Sequence, residues 1–411
     1  MNILLSAYAC EPHRGSEEGF GWNWSTHLAK EGHEVWVVTR TWARETVEKE
    51  MRENPIPNLR FIFVDIPARY KPAMKGIFGV YAHYFLWQRA AYRQAKELLN
   101  EHKFDLAHHV TWGSLIGGSW LWKLNIPFIF GPVGGGQVAP EAFKEYFPTR
   151  WRQESIRTYI TEKFLPSLPA TKRMLKHTAL LLATNSDTLN IAKTMGAIRS
   201  ELFLDTGLPD HYFADAPKAG FSNEKMNILW VGRLLERKAI KFSLEVVAKL
   251  NFPFQMTILG DGPEDAFVND WINELGLSGK VEWKGRVPWD EVQTAYEEHE
   301  VFLFTSLRDS FGSQLLEAMS NGLAIVTLDH QGAHDFVPNE AGIRVKVSNP
   351  KETMNRLAEA LTSLHENPEK LSGMSKTGLE FARRNNWTIK AAEMTKMYDS
   401  VVKNLPEKAL Y

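Results

Sequence analysis

Residues 301–319 read VFLFTSLRDSFGSQLLEAM. An apolar run rich in β-branched and aromatic residues, Val301–Thr305, gives way here to a turn and then to a helical segment. A short apolar run bounded by turn residues is the pattern of a strand covered on both faces. Strand, turn and helix in that order make part of a βαβ unit, so the expected class is α/β with parallel sheets. The turn is also chemically loaded. Gly312 and Ser313 present free backbone N–H groups at the helix start, where an anion is favoured. Asp309 lies in the loop before them, and Glu317, about one and a half turns into the helix, can return to the same side. Two carboxylates so placed can accept hydrogen bonds from sugar hydroxyls. An acidic cap followed by a solvent-facing Glu has the same spacing, and both readings stand on spacing alone.

The alternation extends over the whole chain. Strands are expected at Asn2–Ala7, Val35–Thr39, Phe61–Asp65, Leu106–Val110, Phe128–Gly131 and Leu180–Thr184. A second series follows at Asn227–Val231, Gln255–Leu259, Val281–Lys284, Val301–Thr305 and Ala324–Leu328. Each series suffices for a doubly wound domain. Between them Pro209–Lys225 carries Pro209, Pro217, Gly220 and Ser222 without a sustained period, as a linker does. The expected division is a Rossmann-like domain over 1–210, a linker over 211–225, a second Rossmann-like domain over 226–385, and a C-terminal helix within 386–411 that packs back on the first domain. Leu357, Leu361 and Leu364 mark a packed helix face after the Asn349–Pro350 start signal. Ligands of doubly wound sheets bind at the carboxyl ends of strands, so a cleft between the halves is the expected site.

Composition bounds the rest. A chain of 411 residues with 44% apolar and 24% charged residues can bury two cores, which excludes disordered and collagen-like classes. Lys and Arg number 48 against 49 Asp and Glu, a net charge of −1, so the chain as a whole is no bulk nucleic-acid binder. A single cysteine, Cys10, forms no internal disulfide, the first residues carry no basic segment leading into a long apolar core, and no apolar run approaches membrane-spanning length. Reducing cytoplasm is the expected compartment.

Four further constellations carry chemistry. Gly15-Ser16-Glu17-Glu18-Gly19-Phe20-Gly21 follows the first strand and opens a helix, which suits close backbone approach to an anionic ligand or an ordinary strand-to-helix turn. Gly131-Pro132-Val133-Gly134-Gly135-Gly136-Gln137 follows another strand. Close approach of a ligand or of another chain segment would explain its glycines, and so would a surface loop. His108 and His109 end a strand, and alternation lets at most one face a ligand. Gly232-Arg233 follows Asn227–Val231, with Lys238 five residues on, and a planar Arg fork beside a compact Lys charge suits a diphosphate. Arg237 and Lys241 read as solvated surface.

Taken in order, these motifs resemble retaining GT-B glycosyltransferases of family 4, also called glycosyl transferases group 1. The resemblance rests on Gly232-Arg233-Leu234 with Lys238, on Gly260-Asp261-Gly262-Pro263-Glu264, on Trp283-Lys284-Gly285-Arg286-Val287, and on Asp309 to Glu317 followed by Ala318-Met319-Ser320-Asn321-Gly322. These cover residues 227–345, and Gly15-Ser16-Glu17 and Asp105 to His109 extend the likeness more weakly to the first half. The resemblance implies two Rossmann-like domains facing a central cleft. It also implies transfer of a sugar, with retention, from a UDP- or GDP-sugar to a glycan, glycolipid or small acceptor in bacterial-type envelope or polysaccharide synthesis, without cofactor or metal. Arg233 and Lys238 would neutralise the diphosphate, Glu317 would accept ribose hydroxyls, and backbone around Arg286 would meet the base. Asp309, with the amides from Ser310 through Phe311 to Gly312, would hold the donor sugar, and Ser313 at the helix start would belong to the same donor-binding set. Gly15 and Ser16 would touch phosphate or acceptor, and His109, with His108 as the alternative, would face the sugar.

Three positions depart from the family pattern: Asp309 stands where the family has Glu, Leu323 where it has Pro, and Val110 where a second His is expected. The charge divides unevenly, with 22 Lys and Arg against 27 Asp and Glu after residue 221 and 26 against 22 before it. The basic excess concentrates in Arg69–Lys103 and Arg150–Lys176, the first interleaved with aromatics. An anionic membrane surface would suit such a pattern, and so would a solvated face over an aromatic core. Two other classes share these features: another GT-B enzyme such as a sugar-nucleotide epimerase or phosphorylase, and a nucleotide-sugar binding protein without transfer.

Overall fold

A computed structural model describes residues 1–67, 76–218 and 225–403. They divide into two compact units. The first holds residues 1–136 and 160–207 and the helix Trp387–Lys403, and the second holds 137–159 and 208–386.

The first unit is built on β1 (Asn2–Ala7), β2 (Glu34–Arg40), β3 (Leu59–Val64), β4 (Leu106–Thr111), β5 (Phe128–Val133), β6 (Leu180–Ala183) and β7 (Ser200–Leu202). Their order is β3-β2-β1-β4-β5-β6-β7, with parallel neighbours throughout. The second unit carries β8 (Met226–Val231), β9 (Phe254–Leu259), β10 (Val281–Gly285), β11 (Val301–Phe304), β12 (Ala324–Leu328) and β13 (Gly342–Val345). These run parallel in the order β10-β9-β8-β11-β12-β13. The class is α/β, and both sheets are doubly wound. The order reverses between β1 and β4 and between β8 and β11, which is where such sheets offer a crevice. Every residue of β4, β5, β6, β11 and β12 is buried, which is why those strands read as continuous apolar runs rather than alternating ones.

Two strands have no counterpart in the sequence reading. The edge strand β7 is the tripeptide Ser-Glu-Leu and β13 is Gly-Ile-Arg-Val, and neither is a buried apolar run. The division of the chain also differs. Residues 137–159 lie within the first half of the sequence but pack with the second unit, held by Tyr146, which donates to Glu245, and by Thr149 and Arg150, whose backbone N–H groups both donate to Glu236. The described part of the expected linker is tied down as well. Ala214 N–H donates to Ser320 O at 2.9 Å and Lys218 N–H to Ser375 Oγ at 2.8 Å. Residues 219–224 of that linker and 404–411 of the C-terminal segment lie outside the described residues, as do residue 68 and 69–75 of the basic stretch.

Trp387, Ala391, Met394, Tyr398 and Val401 of the last helix join Ile3, Leu5, Trp24, Val35 and Leu106 in one buried cluster of the first unit. The cluster of glycines after β5 has a packing explanation. Gly136 N–H donates to Thr188 Oγ1 at 3.0 Å, and a Cβ on Gly136 would stand 2.5 Å from Thr188 Cα, so another chain segment occupies that space.

Candidate functional site

At the reversal point of the second sheet, the carboxyl ends of β8 and β11 lead into Gly232–Lys238 and Thr305–Gly312. Polar contacts stitch the two loops together. Thr305 Oγ1 lies 2.6 Å from Ser243 Oγ and donates toward the Lys238 and Ala239 carbonyls at 3.3 Å. Leu307 N–H donates to Arg237 O at 2.8 Å, and Arg237 Nη1 donates to Arg308 O at 2.9 Å. At the centre Lys238 Nζ donates to Asp309 Oδ2, with Arg237 Nη1 and Ser306 Oγ each 3.4 Å from the same oxygen. Ser310 N–H is 3.2 Å from the other carboxylate oxygen. The Lys238 side chain is 7% exposed and that of Asp309 21%.

The electrostatics follow from this enclosure. Burial opposes the charge on Asp309, but the cations of Lys238 and Arg237 and the hydrogen bond from Lys238 outweigh it and hold the carboxyl below its ordinary range. Burial lowers the Lys238 ammonium, and Asp309 restrains that fall. The loops therefore keep a fixed cation beside a fixed carboxylate.

Glu317 lies on the helix Ser313–Ser320, whose first position follows Gly312 with no side-chain cap. Its carboxylate accepts from Tyr296 OH at 3.0 Å, and burial raises its pKa. Tyr212 stacks on Trp289 with centroids 5.5 Å apart. Trp289, Arg286, Val287, Pro288 and Val292 line a shallow recess of ≈ 520 Å³, and Arg286 is exposed. Arg233 is exposed too, 3.6 Å from Asp261. Glu264 turns inward, where burial and the charge of Glu236 push its carboxyl up to about 7. Phe311 is 1% exposed and packs edge-on against Phe336 at 5.8 Å, so its side chain belongs to the core.

In the first unit, Gly15 and Ser16 are exposed at the start of the uncapped helix Ser16–Lys30. Glu17 accepts a hydrogen bond from Gly113 N–H just beyond β4. The histidine expectation is corrected. The register between β1 and β4 does slip, pairing Ser6 with His109 and Ala7 with Thr111, so Val110 is the extra residue. The slip does not expose a histidine, since His108 and His109 are both 0% exposed. His109 lies between Ser6 Oγ, 2.9 Å from Nδ1, and Tyr84 OH, 3.2 Å from Nε2, and burial lowers its pKa to about 3. His108 Nε2 donates to Gly131 O at 2.6 Å, which leaves Nδ1 to accept from Tyr398 OH at 2.6 Å. Both rings spend their nitrogens on hydrogen bonds inside the first unit.

Residues 213–381 match the family model for glycosyl transferases group 1, and residues 22–184 that for glycosyltransferase family 4. Fold and domain families alike are those of the GT-B glycosyltransferases. Among curated relatives, the phosphatidylinositol N-acetylglucosaminyltransferase GPI3 subunit of Saccharomyces cerevisiae is 26% identical over 150 residues, 36% of this chain and 33% of that protein. The phosphatidyl-myo-inositol mannosyltransferase of Mycolicibacterium smegmatis is 29% identical over 197 residues, 46% of this chain and 49% of that protein. The chain thus spans a third to a half of the length of these relatives. Anabaena HepE, solved in complex with UDP-glucose, shares the fold with a TM-score of 0.61 and 13% identity, over 97% of this chain and all of that one.

The GT-B fold gathers residues that the sequence reading passed over. Arg237, read there as solvated surface, touches both Asp309 and the Arg308 carbonyl. Its place beside Lys238 was the available signal. Tyr296 and Gln331 reach the site from sequence positions that no motif flags. Among the described residues, no group of three or more His, Cys, Asp or Glu is placed to hold a metal ion.

Proposed function

We propose that this chain transfers a sugar from a nucleoside-diphosphate sugar to a glycan, lipid-linked or small acceptor, with retention and without a metal. The observation that carries this reading is the Lys238–Asp309 pair, with Arg237, at the reversal point between β8 and β11. As the diphosphate leaves, negative charge develops on it, and preorganised cations in a partly dry site stabilise that charge. Lys238 is the buried cation and Arg233 the exposed one that can turn toward the ligand. Glu317 accepts from the ribose hydroxyls, and the recess at Arg286 and Trp289 takes the base. Asp309 and the amides from Ser310 to Ser313 receive the donor sugar. The UDP-glucose in the HepE complex supports a uridine donor.

A lipid-linked acceptor is supported by the names of the two inositol-lipid relatives and by one face of the first unit. Tyr84 and Trp87 of the helix Gly76–Glu101 are core residues, whereas Phe85, Arg89, Arg93 and Lys96 are exposed on it. Among the described residues no helix is long and apolar enough to cross a membrane. Peripheral attachment to an anionic surface would use that basic face, and failure to sediment with anionic vesicles at low salt excludes it.

The activity is tested by incubating the protein with UDP- and GDP-sugars, with and without EDTA, and measuring nucleotide release and thermal shift, since a ligand that binds only the folded state raises its apparent stability. Release that EDTA leaves unchanged, with an anomeric NMR signal of retained configuration, is the expected result. No release with any acceptor, or a product formed without one, overturns the reading.

A further inference from the structure

Gln331 occupies a conformation that side-chain-bearing residues avoid. It has φ of 54°, in the left-handed region, at the first position of the helix Gln331–Phe336. It is also 8% exposed. Left-handed backbone disfavours any residue with a Cβ, and a buried outlier of this kind persists where its surroundings hold it. The contacts of its amide give the reason. Gln331 Oε1 accepts from the backbone N–H of Asp309 at 2.7 Å. Its Nε2 donates to Val138 O at 2.8 Å and reaches Leu307 O at 3.5 Å. The next residue, Gly332, lies flat on the same loop, and a Cβ there would stand 1.9 Å from Ser310 O.

The loop is held on its other side as well. The Arg308 guanidinium makes two hydrogen bonds to the Glu154 carboxylate, at 2.7 and 2.9 Å. Gln137 Nε2 donates to Ser310 Oγ at 3.0 Å. Residues 308 and 310 are thereby tethered to segment 137–159, and Gln331 is tied to the same segment through Val138. Between those tethers the Arg308–Asp309 peptide is held at both ends: Arg237 Nη1 donates to its carbonyl, Arg308 O, at 2.9 Å, and Gln331 accepts from its N–H. Gln331 is the side chain that holds the N–H end, next to the Cα that carries the carboxylate facing Lys238.

We infer that Gln331 is a positioning residue, which spends an unfavourable backbone conformation to set the Asp309 peptide against the sugar of the donor. This rests on the proposed transferase reading. Gln331→Gly is the discriminating variant, because glycine takes φ of 54° readily while the amide is lost. The expected result is a folded protein whose Tm stays within a few degrees of wild type. Its kcat for nucleotide release should fall at least tenfold, with the donor KM changed less than threefold, because Glu317, Arg233 and the recess are untouched. Amide hydrogen exchange in the peptide covering residues 306–312 should rise. Should the glycine variant not fold, Gln331→Met preserves side-chain volume without the acceptor and carries the same comparison. Wild-type exchange protection at Asp309 together with wild-type kcat in the variant overturns the inference. Exchange needs no turnover, so it decides the positioning role even if wild type releases no nucleotide, an outcome that would instead count against the donor reading.

Discussion

Lys238→Met removes the cation at the centre of the site and leaves its volume nearly filled. Two consequences can be separated. The first is stability. Stripping one partner from a fully buried ion pair costs about 3–5 kcal/mol. Asp309 is 21% exposed and keeps Arg237 at 3.4 Å and the Ser310 N–H at 3.2 Å. The expected cost is therefore reduced to about 1–3 kcal/mol, or roughly 2–12 °C in Tm for units of this size. Because the Asp309 pKa is depressed, the pair's contribution is complete above the ordinary carboxyl value of 3.8 and is lost only as pH falls through the lower folded value. The difference in Tm should thus hold steady from about pH 5 to 8. The second consequence is catalysis. A preorganised charge aimed at the leaving diphosphate is worth about 10²–10³ in kcat, or roughly 3–4 kcal/mol of barrier. The double variant Lys238→Met/Asp309→Asn relieves the uncompensated carboxylate, so its Tm should return toward wild type while nucleotide release stays low. Near-native kcat in the single variant would refute the reasoning. So would recovery of turnover along with stability in the double variant, which would mean the first loss was structural.

Asp309→Glu should leave the fold intact and change the order of preference among donor sugars, read as relative kcat/KM over a donor panel; an unchanged order would remove Asp309 from the sugar contact. Glu317→Ala should raise the donor KM about 10- to 100-fold, the loss of hydrogen bonds to a charged acceptor worth about 1.5–3 kcal/mol, and an unchanged KM would place the ribose elsewhere. Tyr398→Phe leaves His108 Nδ1 unpaired in the core and should cost about 1–3 kcal/mol in denaturant unfolding, with no effect on donor KM. Lys390 is 1% exposed over the Phe203 ring, and burial lowers its pKa to about 7. The unfolded chain then holds a proton that the folded chain has released, so wild-type stability should rise with pH from about 7 to 10.5 by up to about 1.4 kcal/mol per unit. Lys390→Met should be more stable than wild type at pH 6, with the advantage shrinking by pH 10, and a pH-independent difference would argue against the shift.

The second unit was legible because its chemistry is local. Strand β8 runs directly into Gly232–Lys238, and β11 into Thr305–Gly312. A buried parallel strand is an unbroken apolar run, so both loop starts are marked in one dimension. The pairing of Lys238 with Asp309 is not local, since 71 positions separate them. Strand order makes them neighbours, and the family pattern anticipated that they serve one ligand. What stayed hidden depends on contacts between segments. Nothing in Gln137, Glu154 or Gln331 marks them as supports of the Asp309 loop, because each acts through a partner more than 150 positions away or, for Gln331, through a backbone N–H 22 positions away. The same holds for segment 137–159, whose assignment to the second unit depends on Tyr146, Thr149 and Arg150 finding Glu245 and Glu236.

The first unit shows why adjacent histidines mislead. Alternation along a strand assigns His108 and His109 to opposite faces, and the inference that one of them faces ligand assumes that one face of the strand is open. In a doubly wound sheet neither face is open, since helices cover both. A polar residue in β4 must then be satisfied inside, and here each ring finds two partners: Gly131 O and Tyr398 OH for His108, Ser6 and Tyr84 for His109. Only the strand end is free to present chemistry, and β4 ends at Thr111. Beyond it Trp112 takes φ of 74°, and the Gly113 N–H meets Glu17 from the start of the helix Ser16–Lys30. The rule that located the second unit's site, carboxyl ends at the reversal point, therefore points in the first unit to Glu17, Trp112 and Gly113 rather than to either histidine.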